Sequence, residues 1–320
     1  MSQDHMEAFT LNASDGAEIA CYRWIPEQVR AIVCLAHGMG EHAQRYDWVA
    51  KELNAEGYAV YADDHRGHGV TGERNAGQSH GYMGGDGWNR TLADAYELNQ
   101  LARARHDGVP LVLLGHSMGS MLSQQYITRY GESIDVLALC GSPGFKGGLL
   151  GAIGRVLARI DAKRLGPDQP SELLQKLAFG RNNKPFDVPG ATGFEWLTRD
   201  VAQMQAYVDD PACGFVLTAG SMLDLYEGAR MTQTDACLDR VPKDLPIYVF
   251  SGAEDAVHGE QKDLYRMLEA YKAHGFSRVE NRWYAGGRHE IFNETNRDEV
   301  LADLIAWLNQ TLFGEGRDGR

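Results

Sequence analysis

The chain has little cysteine, no extended run of apolar residues and no concentration of positive charge, and each absence removes a class of function. Its five cysteines, Cys21, Cys34, Cys140, Cys213 and Cys237, are odd in number, and none forms a close metal-like pair. Disulfide-stapled secreted scaffolds and zinc modules are not built that way. Cys34 and Cys140 sit in apolar, strand-like runs, where a thiol serves as a small core residue, a pattern suited to a reducing compartment. No stretch approaches the ~18 apolar residues of a membrane span. The N-terminus, Met1–Thr10, is polar and lacks the basic-then-apolar order of a secretion signal. The expectation is therefore a cytoplasmic protein. With 31 basic residues against 44 acidic ones the formal net charge is -13. No basic cluster is available to neutralise a row of phosphates, which argues against a nucleic-acid partner. Internal repeats and low-complexity linkers are absent as well.

What is present is an ordinary globular composition, 43% hydrophobic and 23% charged over 320 residues, with glycine raised to 37. That length holds one large domain, or one domain with an insertion. Short strands are expected at Met6–Leu11 and Ile19–Trp24, followed by a continuous apolar strand at Ala31–Ala36, the pattern of a strand buried on both faces. The rhythm then repeats as helix Tyr46–Glu56, strand Tyr58–Ala62, helix Trp88–His106, strand Leu111–Leu114, helix Met118–Tyr130 and strand Val136–Cys140. It resumes at strand Ile247–Phe250, helix Gln261–Ala273, strand Val279–Tyr284 and helix Asp298–Leu312, with Gly314–Arg320 as a tail. Strands and helices alternating in this way predict an α/β fold with a mostly parallel sheet flanked by helices.

Between the two runs the pattern breaks. Helices are expected at Leu149–Ile160, Ser171–Phe179, Trp196–Tyr207 and Cys213–Gly228, without a buried strand. The reading is a core made of residues 1–140 and 241–320, with a helical lid inserted at 141–240. In the first of these helices Leu149, Leu150, Ile153, Val156, Leu157 and Ile160 share one face. That stripe fits an acyl channel, packing of the lid onto the core, or contact with a lipid aggregate, the last favoured by Arg155 and Arg159.

The chemistry is concentrated in Gly115-His116-Ser117-Met118-Gly119, which follows the apolar run Leu111–Leu114 and precedes a helix. A strand ending in G-x-S-x-G turns sharply into a helix and lifts the serine hydroxyl to the sheet's edge. A serine needs a base to take its proton and a third group to orient that base. Asp255, in the loop after Ile247–Phe250, fits the acid. Glu254 is its nearest rival, with Asp224 and Asp239 weaker. His289, after Val279–Tyr284 and a glycine-rich turn, fits the base better than His258 or His274. The order Ser117, Asp255, His289 is the chain order of such a triad. The negative oxygen formed on attack needs preorganised N–H donors. The amide of Met118 opens the helix after the serine, and that of Met39 lies in His37-Gly38-Met39-Gly40 after strand Ala31–Ala36.

His37-Gly38-Met39-Gly40-Glu41-His42, Asp64-His65-Arg66-Gly67-His68-Gly69, Gly115–Gly119 and Gly286-Gly287-Arg288-His289-Glu290 together resemble the monoacylglycerol lipase and lysophospholipase group of α/β-hydrolases, also labelled serine aminopeptidase-like. The resemblance runs from about Glu18 to Leu312 and is weakest across the lid. It implies an α/β-hydrolase fold, with nucleophile Ser117, acid Asp255, base His289, and oxyanion amides at Met39 and Met118. In that family Arg66 and His68 shape the floor near the site and are structural. The implied activity is hydrolysis of a monoacylglycerol or lysophospholipid through an acyl-enzyme. A generic carboxylesterase, an amidase or peptidase, and a receptor-like binding protein on a hydrolase scaffold are the alternatives. Leu149, Ile153 and Phe215 are the candidate substrate contacts. The histidines near residues 37–68 lack an ordered ligand spacing, so neither a metal nor a cofactor is expected. The expected partner is a small lipid-like ester. Transient contact with membranes and self-association as a homo-oligomer are both left open.

Overall fold

The computed structural model describes residues 6–74, 80–145 and 148–314, without the side chains of 148–151. The elements run β1 (Glu7–Asn12), β2 (Glu18–Trp24), β3 (Ala31–Ala36), α1 (Asp47–Ala55), β4 (Tyr58–Asp63), α2 (Gly69–Arg74), α3 (Gly87–Arg105), β5 (Leu111–His116), α4 (Met118–Tyr130) and β6 (Val136–Cys140). Five helices follow: α5 (Gly148–Leu165), α6 (Glu172–Phe179), α7 (Val201–Asp209), α8 (Ala219–Thr232) and α9 (Asp235–Leu238). The chain closes with β7 (Ile247–Gly252), α10 (Lys262–Ala273), β8 (Val279–Tyr284) and α11 (Arg297–Phe313).

The eight strands form one sheet in the order β1-β2-β4-β3-β5-β6-β7-β8. β2 pairs antiparallel with β1 and β4, and the other pairs are parallel. Strands β3 to β7 are buried along their whole length, because helices cover both faces. Successive side chains go to opposite layers. Ile32 and Cys34 join the layer of Leu92, Leu98, Leu122 and Met267, whereas Val33 and Leu35 join that of Val49, Leu53, Leu304 and Leu308. The edge strand β8 is largely exposed and carries Arg282, which is ion-paired to Glu299 and Asp303 of α11. A charged edge discourages pairing with another chain.

β6 and β7 are hydrogen-bonded neighbours, so the helical segment between them leaves and re-enters the sheet at adjacent positions. Two of its helices start later than the apolar pattern suggests. α7 begins after Asp200, whose carboxylate accepts the amides of Ala202 and Gln203, and α8 begins after Thr218, whose hydroxyl accepts that of Ser221. Satisfying the first free N–H groups of a helix decided both starts.

The apolar stripe of α5 is divided between core packing and exposure. Ile153, Val156 and Ile160 are 47%, 54% and 55% exposed, while Ala158 and Asp161 are buried. Asp161 accepts a hydrogen bond from Ser171, the N-cap of α6. The helix is thus anchored through its small and polar side together with Leu157, which packs against the core, while Ile153, Val156 and Ile160 face out. Leu149 lies outside the residues whose side chains are described. Among the described residues no helix is long and apolar enough to cross a membrane.

Candidate active site

The site is assembled at the carboxyl ends of β3, β5, β7 and β8. At the end of β5 the chain turns through Ser117, with φ 51° and ψ -113°, directly into α4. A non-glycine residue with positive φ is strained, and such strain persists only where the surroundings hold it. Here the Ser117 amide donates to the carbonyl of Cys140 at 3.0 Å. The turn also requires Gly119, where a Cβ would sit 2.0 Å from the carbonyl oxygen of Ala36.

His289, after β8, places Nε2 2.9 Å from Ser117 Oγ and Nδ1 2.9 Å from Asp255 Oδ2. Asp255, after β7, also accepts the hydroxyl of Ser251 at 3.0 Å and the amide of Val257 at 2.8 Å. These bonds fix its carboxylate plane towards the imidazole. The rivals are engaged elsewhere. Glu254 is exposed, Asp224 accepts the Gly87 amide, Asp239 pairs with His274, and His258 bonds the carbonyl of Gly252. Arg66 pairs with Asp94 and Asp15 and holds the loop floor together.

A cavity of about 440 Å³ opens over Ser117 and His289, within the size range of small-molecule sites, about 300–1,000 Å³. Met39 lines it, as do Phe179, Phe194, Trp196, Phe215 and Val216. Met118 is buried as the first residue of α4, where the backbone N–H has no partner within the helix. Of the candidate substrate contacts, Phe215 lines the cavity. Ile153 does not; it is on the outward face of α5.

Two groups of residues escaped the sequence reading. The first is Trp196-Leu197, which clamps the histidine loop. The Trp196 ring lies 5.0 Å from that of His289, centroid to centroid, and the Leu197 carbonyl accepts the Glu290 amide at 2.7 Å. The second is a buried ion network. Arg45 Nη1 reaches Glu41 Oε2 and Glu290 Oε1 at 2.7 Å each, and Nη2 reaches Glu290 Oε2 at 2.7 Å. Glu41 Oε1 in turn accepts the Gly38 amide at 2.6 Å and the Tyr46 hydroxyl at 2.8 Å. One guanidinium therefore links the loop bearing Met39 to the residue after His289.

A sequence model described as "Serine aminopeptidase, S33" matches residues 27–296. The chain belongs to that family. It is a carboxylic-ester hydrolase of the α/β-hydrolase fold, within the monoacylglycerol lipase-like group. A monoacylglycerol lipase of Mycolicibacterium smegmatis is 30% identical over 299 residues, spanning 92% of this chain and 93% of that protein. Among solved structures, a lipase in its open form superposes with a TM-score of 0.85 at 25% identity, covering 97% of this chain and 100% of the other. A soluble variant of the Saccharomyces cerevisiae monoglyceride lipase, bound to a substrate analogue, shares the fold with a TM-score of 0.73 at 21% identity, over 97% and 96% of the two chains.

The electrostatics of this hydrolase are set by burial and pairing together. Burial raises the Asp255 carboxyl, but the His289 charge and hydrogen bond outweigh it and hold the group at about 2. Burial likewise disfavours a charged His289, yet the Asp255 carboxylate lifts it above its ordinary 6.5. His116, packed 4.9 Å from His289, is driven the other way, to about 4, by burial and then by His289 itself. A neutral His116 therefore sits beside the imidazole without competing for its proton.

Proposed function

We propose that the enzyme hydrolyses monoacylglycerol-like lipid esters with Ser117, His289 and Asp255 as its catalytic triad. The observation that carries this reading is the unbroken hydrogen-bond chain Ser117 Oγ, His289 and Asp255 at the base of an apolar cavity. In the acylation step Ser117 Oγ bonds to the ester carbonyl carbon while His289 Nε2 takes the hydroxyl proton. The carbonyl oxygen becomes an anion held by the amides of Met39 and Met118. As that oxyanion collapses, the carbon–oxygen bond to the alcohol breaks, and His289 hands the proton to the leaving oxygen. Water then attacks the acyl-serine, giving its proton to His289, and the free acid leaves as Ser117 is reprotonated.

Relatives named as monoacylglycerol lipases support the glycerol ester, and the aromatic lining around Phe179, Phe194 and Phe215 supports an acyl chain. We assign residues 141–240 as a lid over the core formed by 1–140 and 241–320. Its outward Ile153, Val156 and Ile160, with Leu173 and Leu177 of α6, present an apolar surface for transient contact with the lipid aggregate that holds the substrate.

Initial rates on glyceryl, lysophosphatidylcholine and nitrophenyl esters, each from acetyl to stearoyl, test the substrate. Rates are expected to rise into the medium and long acyl range and to be highest for the glyceryl series. Turnover confined to acetyl and butyryl esters would instead identify a small-ester carboxylesterase.

The base makes a separate prediction. His289 must be neutral to accept the serine proton, and Asp255 holds its pKa above 6.5. Hydrolysis therefore falls as pH drops through a midpoint above that value. Asp255→Asn is expected to move the midpoint down and to lower kcat by about 10⁴-fold, through loss of tautomer control. A kcat/KM profile on a water-soluble nitrophenyl ester reads both effects. A midpoint that does not respond to Asp255→Asn would remove Asp255 from this role.

A further inference from the structure

We infer that His42, Asp210 and Cys213 form a binding site for a borderline-soft divalent cation, zinc above all. His42 Nε2 lies 2.9 Å from Asp210 Oδ2, and the donor atoms of all three residues fall within 4.8 Å of one another. The site is built by two loops that meet only in the fold. His42 follows the oxyanion loop, and Asp210 and Cys213 lie in the turn after α7. In that turn the Cys213 amide donates to the Asp210 carbonyl at 3.0 Å, which brings both side chains to one side. Asp210 Oδ1 is occupied by the Ala212 amide at 2.8 Å, leaving Oδ2 as the atom facing His42.

The loops are also locked to each other. The Gly40 carbonyl accepts the Gly214 amide at 2.9 Å and the Tyr207 hydroxyl at 3.0 Å. A cation would therefore find its donors already gathered. One imidazole, one carboxylate and one thiolate is a mixed nitrogen, oxygen and sulfur set, which suits zinc and disfavours magnesium or calcium. The site is open to solvent through Asp210, 30% exposed against 12% for His42, so water completes the fourth position.

Binding forms a metal–sulfur bond and breaks the thiol S–H bond, and the proton leaves to solvent. With zinc in place the turn at 210–213 is clipped to the segment after the oxyanion loop.

The test uses the full chain stripped of metal, with cobalt chloride as the spectroscopic probe and zinc chloride as competitor. One equivalent of cobalt is expected to produce a near-ultraviolet thiolate-to-cobalt band, abolished by one equivalent of zinc. Zinc is expected to raise the melting temperature. Cys213→Ser removes the sulfur alone and should lose the band with the circular dichroism spectrum unchanged. Asp210→Asn should weaken zinc at least ~10-fold, a cost that even outer-shell changes impose. The remaining thiols, Cys21, Cys34, Cys140 and Cys237, are buried. Failure to develop the band, or a band that persists in Cys213→Ser, overturns the assignment. These readouts are independent of ester hydrolysis.

Discussion

Ser117→Ala is expected to lower kcat by about a million-fold, the cost of deleting the proposed nucleophile from a preformed triad. KM should change little, because the aromatic lining of the cavity is untouched. The fold should also survive. Alanine retains the Cβ, and the backbone amide that donates to the Cys140 carbonyl remains. The residual rate is that left by oxyanion donors and binding alone. Steady-state hydrolysis of a glyceryl ester measures the loss, and labelling with a fluorophosphonate reports the acyl-enzyme chemistry independently. Wild-type protein should take one label and the variant none. A variant that still turns over at a rate near wild type, or that still takes the label, would place the nucleophile elsewhere.

Arg45→Ala should destabilise the fold by about 3–5 kcal/mol, the typical cost of breaking a buried ion pair from one side. Arg45 is 11% exposed and its partners Glu41 and Glu290 only 4% and 6%. Burial alone pushes the Glu290 carboxyl up, and Arg45 overcomes that and holds it at about 2. Without the guanidinium two carboxylates remain buried together. Glu41 is also the acceptor for the Gly38 amide, so its rearrangement reaches the oxyanion loop and kcat falls as well. Urea unfolding measures the stability loss. Replacing both carboxylates as well, in an Arg45→Met, Glu41→Gln, Glu290→Gln protein, is expected to recover part of it, since no charge is then left unpaired. A loss below about 1 kcal/mol, the level of an exposed pair, would contradict the network's role.

The sheet and its connections were legible because their signals are local. A run such as Ala31–Ala36, apolar at every position, has to be covered on both faces, and the elbow at Gly115–Gly119 names the end of its strand. Asp255 was separable from Glu254 only by its place in the loop. The structure gives the reason, since Asp255 is buried against His289 while Glu254 is exposed. In α5 the sequence signal left the direction of the stripe open. The stripe through Ile153 fitted an acyl channel, core packing or lipid contact equally, and the small face with Ala158 and the Asp161–Ser171 bond determined the orientation. Periodicity finds a stripe and does not say what it faces.

The amino-acid sequence by itself determined the succession of the strands and of the longer helices, though not the short α2 and α9, and the residue types at the ends of β5, β7 and β8. Continuous apolar runs and turn stereochemistry act over a few residues. Only the tertiary structure decided which partners meet across the chain: Trp196 on His289, Arg45 between Glu41 and Glu290, and His42 with Asp210 and Cys213. Each joins residues far apart in sequence, and no local propensity records a contact that comes into being when the sheet closes and the helical segment docks against it.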